Sequence, residues 1–257
     1  MLSTVILSLI VAIVCNLLLF LIAYWRQSDK LTDISYALTF ILLTALVVRV
    51  SPAQGAYGIA VLGMVVLWAC RIGGFLLYRI IRAGRDARFD DVRSHFMQFG
   101  RFWLGQAVTV WILMLPVVFA FSRKNHLGSV ELFSICLWLF GFGVEAIADL
   151  QKYRYRSNHH HANHWIDTGL WRFSRHPNYF GEILVWCSIY LYAYIGMSVP
   201  ERIIALASPL LISILLLFVS GVPVLERSAD KRWGNDPSYE SYKRRTSLLI
   251  PLPRHKA

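Results

Sequence analysis

Residues 2–25 read Leu2-Ser-Thr-Val-Ile-Leu-Ser-Leu-Ile-Val-Ala-Ile-Val-Cys15-Asn16-Leu-Leu-Leu-Phe20-Leu-Ile-Ala-Tyr24-Trp25, with no charged side chain before Arg26. A bilayer core roughly 30 Å thick is crossed by about 20 predominantly apolar residues in a helix, because each backbone N–H and C=O must find its partner inside the segment. This stretch is long enough, and it is expected to span. It has no basic residue ahead of it, exceeds a typical signal-peptide core and ends without a small-residue cleavage pattern, so it is expected to stay in the mature protein.

Working outward, the same kind of run recurs from Ile34 to Val50, Ala56 to Ile81, Phe102 to Phe121, Val130 to Ala148, Tyr179 to Val199 and Ile203 to Leu225. The expected fold is therefore an all-α polytopic membrane protein of about seven transmembrane helices. Composition agrees: 56% of the 257 residues are hydrophobic, 16% are charged, and the mean hydropathy is +0.51. A soluble domain could not hide that much apolar surface around one core. No polar linker divides the runs, so residues 1–257 are read as a single membrane domain.

Of the 26 lysines and arginines, 21 fall in alternate connections: Arg26 and Lys30, then Arg79 to Arg101, Lys152 to Arg175 and Arg227 to Lys256. The positive-inside rule places those segments and the C-terminus in the cytoplasm, with the N-terminus outside. The membrane would be the inner one in a bacterium or the endoplasmic reticulum in a eukaryote. Topology and anionic headgroups account for a net charge of +11 without nucleic acid as a partner. Cys15, Cys70, Cys136 and Cys187 all lie within the expected spans, lack CxxC spacing and are read as small packing residues that form no disulfide.

Chemistry concentrates between Glu145 and Glu182. Glu145, Asp149, Lys152 and Arg156 follow one another at three- and four-residue spacing and so share a helix face at the end of the fifth span. Ionisable groups at that depth are costly unless paired or facing a wet cavity, which makes them site candidates. Then comes Ser174-Arg175-His176-Pro177-Asn178-Tyr179-Phe180-Gly181-Glu182. Ser174 can cap, Pro177 suits a first helical turn, and Asn178 and Glu182 lie one turn apart. With Arg175 and His176 beside it, that helix start can receive an anion such as phosphate. His160 and His164 are spaced i, i+4, but no cysteine or carboxylate completes a ligand set, and no metal site is expected. Neither GxGxxG nor GxxxxGK[ST] occurs, so a nucleotide would be held in another way.

These residues carry a resemblance. The octet Arg175 to Glu182, the preceding Ala148-Asp149-Leu-Gln151-Lys152-Tyr-Arg154 and the tail Glu226 to Gly234, Tyr242 to Arg244 and Leu249-Ile250-Pro251 look like the C-terminal domain of the steroid 5-alpha-reductase family. The match is to its bacterial and plant branch of uncharacterised membrane proteins; the sterol C14 and C7 reductases are similar, the isoprenylcysteine carboxyl methyltransferases more loosely so. It covers about Arg71 to Pro251, while residues 1–60 match only as hydrophobic spans. The resemblance implies NADPH held at the cytoplasmic side by Asp149, Arg156, Arg175, His176, Asn178, Tyr179, Glu182, Lys231 and Tyr242, with the segment 226–257 folding back over it. The implied reaction is hydride delivery to a conjugated C=C of a hydrophobic molecule entering from the bilayer, a lipid or a steroid-like substrate.

One departure bears on the catalytic groups. Characterised steroid reductases carry an adjacent Gln-Glu pair and a tyrosine on early helices; here Gln54 precedes Gly55, and Tyr78 is offset after Arg71. Gln54 and Tyr78 are the catalytic candidates that remain. Two other readings stay open: a membrane methyltransferase holding S-adenosylmethionine on the same motif, and a non-catalytic lipid-binding protein keeping the fold without turnover.

Overall fold

The computed structural model describes residues 2–50, 55–83, 91–121, 126–157 and 164–254. Its helices are α1 (Leu2–Trp25), α2 (Lys30–Val50), α3 (Ala56–Ala83), α4 (Phe96–Phe121), α5 (Ser129–Ser157), α6 (Pro177–Tyr194), α7 (Val199–Ala205), α8 (Ala207–Ile214), α9 (Val222–Trp233) and α10 (Pro237–Arg245). A 3₁₀ turn occupies Gly169–Arg172, and a π turn spans Leu215–Val219. No strand forms among the described residues; the nearest thing is one isolated parallel bridge, Ser174 to Ser247. The protein is all-α and polytopic. Among the described residues, six helical stretches are long and apolar enough to cross a membrane, α7 to α9 counting as one. The expected seventh, Tyr179 to Val199, is not among them: α6 has 18 residues, about 27 Å, and carries Asn178 and Glu182 in its first turns.

Two compact units form, one from residues 1–135 with 189–208, the other from 136–188 with 209–257. In the first unit, α1 buries Ser8, Ala12, Asn16, Phe20 and Ala23, steps of three and four residues that make a single face. Its opposite side exposes Ile10, Leu18 and Leu21, each about half accessible. Small and polar residues inside with leucine outside is the pattern of a helix solvated by lipid, since in water the outer face would be a large sticky patch. Polar groups join the helices: Asn16 Nδ2 donates to Thr39 Oγ1 at 3.1 Å, and Gln106 Nε2 lies within bonding distance of both Asn16 Oδ1 (3.0 Å) and Ser35 Oγ (2.7 Å). Such bonds across α1, α2 and α4 contribute about 0.6–2 kcal/mol each in a membrane. At one end of this unit Arg79 pairs with Asp33 (3.5 Å) and Arg93 with buried Asp29 (3.7 Å). Tyr57 and Tyr192 stack at 4.7 Å, the Tyr192 hydroxyl donating to the Tyr57 carbonyl.

The second unit is organised by a close crossing of α5 and α6. A Cβ on Gly181 would come within 2.6 Å of the Glu145 nitrogen and the Gly141 oxygen, and one on Gly141 within 2.8 Å of the Leu184 Cβ. Two glycines on facing helices let the backbones touch. Two of the four cysteines depart from the packing role read from sequence, because Cys70 and Cys136 are exposed on their helices; all four are free thiols.

Candidate functional site

Asp149 and Asn178 meet because of that glycine crossing. Asp149 lies two turns beyond Gly141 on α5, and Asn178 lies three residues before Gly181 on α6, so both come to the same end of the helix pair. Asn178 Nδ2 donates to Asp149 Oδ1 at 3.2 Å, and Asp149 is 9% exposed. One turn deeper, Glu145 is buried. Glu182 and Tyr179 stand half-buried on the first turns of α6.

The connection from α5 to α6 is tied back to α5. Gly169 adopts φ +60°, a left-handed turn that glycine enters without penalty. This lets the Leu170 N–H reach Gln151 Oε1 (3.0 Å) while the Trp171 indole N–H donates to the Ala148 carbonyl (3.0 Å) and the Lys152 ammonium sits 4.5 Å over the Trp171 ring. The chain then runs into the helix start already tethered. Ser174 Oγ accepts the His176 N–H at 3.1 Å and donates to the Leu249 carbonyl at 2.7 Å.

Residue Glu226, on α9, completes the cluster. Its carboxylate accepts from Arg175 Nη1 through one oxygen and lies 2.8 Å from His176 Nε2 through the other. Burial holds the His176 imidazole below the ordinary histidine range, against the pull of Glu226. With its proton on Nε2 for that bond, His176 presents Nδ1 as an acceptor; the ring lies parallel to Tyr179 at 5.5 Å. Three atoms within four residues are buried without a hydrogen-bond partner: Arg175 Nε, a donor, and His176 Nδ1 and Asn178 Oδ1, both acceptors. Buried polar atoms are almost always paired, and each such orphan costs about 1–3 kcal/mol. Together they offer one donor and two acceptors that a ligand able both to accept and to donate could meet.

The C-terminal segment folds back onto this helix start. The Arg175 N–H donates to the Ser247 carbonyl (2.9 Å) and the Leu252 N–H to the Phe173 carbonyl (3.2 Å). Tyr242 donates its hydroxyl to the Trp171 carbonyl at 2.9 Å, and burial raises its pKa above the ordinary tyrosine range. Around it, Trp165 packs its ring 5.2 Å from Tyr239 and 6.2 Å from Trp233.

Of the residues read from sequence, Asp149, Arg175, His176, Asn178, Tyr179 and Glu182 gather around the start of α6. Tyr242 serves the fold-back through its hydroxyl. Arg156 is exposed near the end of α5, and Lys231 is exposed in the last turn of α9. Tyr78 belongs to the first unit, exposed on α3 with the Arg82 guanidinium 5.4 Å from its ring. Gln54 and His160 lie outside the described residues. His164 Nδ1 contacts the Trp165 carbonyl and the Tyr155 hydroxyl, and no group of three possible metal ligands occurs among the described residues. Sequence reading placed Glu226 in the tail motif but gave it no role at the site. The available signal was one carboxylate following the apolar run 215–225, which needs a cation, facing two adjacent cationic residues that need an anion.

An all-α membrane protein with a polar, partly unsatisfied cluster at the end of its α5–α6 pair is the class that fold and site define. Within that class the chain belongs to the family described as protein of unknown function (DUF1295), whose model matches residues 19–246. It is also similar to an uncharacterized protein of Schizosaccharomyces pombe, with 28% identity over 163 residues, 51% of this chain and 46% of that protein. The chain thus aligns with just under half the length of that relative. No solved structure matches.

Proposed function

We propose that this chain is a membrane-embedded, NADPH-dependent reductase of a conjugated C=C in a lipid or steroid-like molecule that enters from the bilayer. The observation that carries the reading is the trio of buried unpartnered atoms on Arg175, His176 and Asn178. A dinucleotide suits such an edge, since its phosphates and carbonyl oxygens accept while its amide and hydroxyl groups donate. Asn178 and Asp149 would receive amide or ribose groups, and Arg175 would serve a phosphate. Glu226 would hold Arg175 and His176 in place, and Trp171, Tyr242 and the fold-back would exclude water. NADPH, when bound, supplies the hydride. The octet's resemblance to the steroid 5-alpha-reductase family supports the same assignment.

Titrating the purified protein with NADPH, NADH and S-adenosylmethionine tests this reading. NADPH should bind most tightly, and Arg175→Gln should weaken it by about 1.5–3 kcal/mol, the scale of a charge-assisted hydrogen bond, and weaken NADH less if this arginine reads the 2′-phosphate. Tight S-adenosylmethionine binding without an NADPH signal would replace the reductase by a methyltransferase.

For the orientation, we propose the N-terminus outside and the C-terminus cytoplasmic, from the charge asymmetry. Ser94 is exposed beside Arg93, between α3 and α4. A Ser94→Cys variant should react with an impermeant thiol reagent only after the membrane is opened; labelling in intact cells would reverse the topology.

A further inference from the structure

Residues 246–254, after α10, read Thr-Ser-Leu-Leu-Ile-Pro-Leu-Pro-Arg. Thr246 is buried and Ser247, Leu249 and Pro251 are half-buried, whereas Leu248, Ile250 and Leu252 are 40%, 53% and 44% exposed. The alternation has a cause. One side of this strap is engaged by Ser174, Arg175 and Phe173 through the bonds from Ser174 Oγ, the Arg175 N–H and the Leu252 N–H. The other side presents three aliphatic side chains, and Phe173, on the segment it pairs with, adds a fourth at 40% exposure.

Basic residues flank this apolar strip, two of them paired with acids: Lys243 with Asp230 (2.7 Å) and Arg254 with Asp167 (3.7 Å). Arg172, Arg244 and Arg245 are exposed. From residue 241 to 257 the chain carries Lys243, Arg244, Arg245, Arg254 and Lys256 and no acid. The strap's level is set by its partners, because Phe173, Ser174 and Arg175 immediately precede the first turn of α6 at Pro177. In the topology proposed above, that level meets the headgroup layer. Arg254 adds a tie there, donating from Nε to the Arg172 carbonyl at 3.1 Å.

We propose that the strap 246–254 is an interfacial anchor: Leu248, Ile250, Leu252 and Phe173 seat in the acyl boundary of the leaflet beside α6, and the flanking arginines engage anionic phospholipid headgroups. An aliphatic strip rimmed by cations matches that layer, apolar on one side and negatively charged on the other. A protein partner would need an acidic rim around an apolar groove at the same depth in the membrane.

The test uses the full chain with Cys15, Cys70, Cys136 and Cys187 replaced and Ile250→Cys carrying an environment-sensitive fluorophore, one copy per nanodisc. Lipids brominated near the headgroup should quench the label, at least twofold more in discs containing phosphatidylserine than in phosphatidylcholine alone. High salt, or Arg244→Gln with Arg245→Gln, should remove that difference. A label unquenched in both compositions would place the strap in water and overturn the proposal. Equal quenching in both, insensitive to salt, would overturn the anionic component. Quenching in one-copy discs that is lost in discs holding two copies would assign the strip to a second chain instead.

Discussion

Asp149→Leu is expected to lower nucleotide affinity by roughly 10- to 150-fold, the equivalent of one charge-assisted hydrogen bond of about 1.5–3 kcal/mol. The carboxylate accepts from Asn178 Nδ2, and Asn178 Oδ1 already lacks a protein partner. Removing the acceptor frees the amide to turn, so the group that would meet the ligand loses its orientation as well as its neighbour. Leucine at this depth carries no desolvation penalty of its own, and extraction in mild detergent should proceed as in the parent. Asp149→Asn keeps an acceptor oxygen and should retain most of the affinity. Equilibrium titration of the three proteins with NADPH checks the prediction; a leucine variant that binds like the parent would move the pocket away from the α5–α6 end.

Gly181→Ala is expected to destabilise the fold by about 1–3 kcal/mol, the usual scale of overpacking. The added methyl would meet backbone atoms, Glu145 N and Gly141 O at 2.6 Å, which cannot swing aside as a side chain could. Relief requires α5 and α6 to separate, and separation pulls Asn178 from Asp149, so binding should fall together with stability. Gly143→Ala provides the control on the facing helix α5, because a Cβ there meets nothing within 4 Å. With no clash, the intrinsic preference for alanine over glycine in a helix dominates, a gain of up to about 1 kcal/mol. Thermal denaturation in detergent should separate the two by sign. Equal behaviour at positions 181 and 143 would show that α5 and α6 do not touch through their glycines.

The sequence by itself determined that the chain is a helical membrane protein, because span length is set by bilayer thickness and a run such as Leu2–Trp25 can satisfy its backbone only as a helix. The ends were less legible where polar residues continue a helix past its apolar run. The apolar run of α5 ends at Ala148 but the helix continues to Ser157, in line with the shared face read for Glu145, Asp149, Lys152 and Arg156, and α4 begins at Phe96 instead of Phe102 because Phe96 and Phe99 pack on Tyr24 and Phe20. The last apolar run, 203–225, is interrupted by a π turn and by Gly221, where helical periodicity alone would continue. The local part of the site, Asp149 on one helix and Arg175 to Glu182 at the start of another, was also readable, since capping and proline chemistry act within a few residues. Only the tertiary structure decided how those pieces combine. Glu226 reaches Arg175 across 51 positions, and Leu249 reaches Ser174 across 75. Such contacts depend on where a close helix crossing and a folded-back strap bring the chain, and residue spacing carries no record of either.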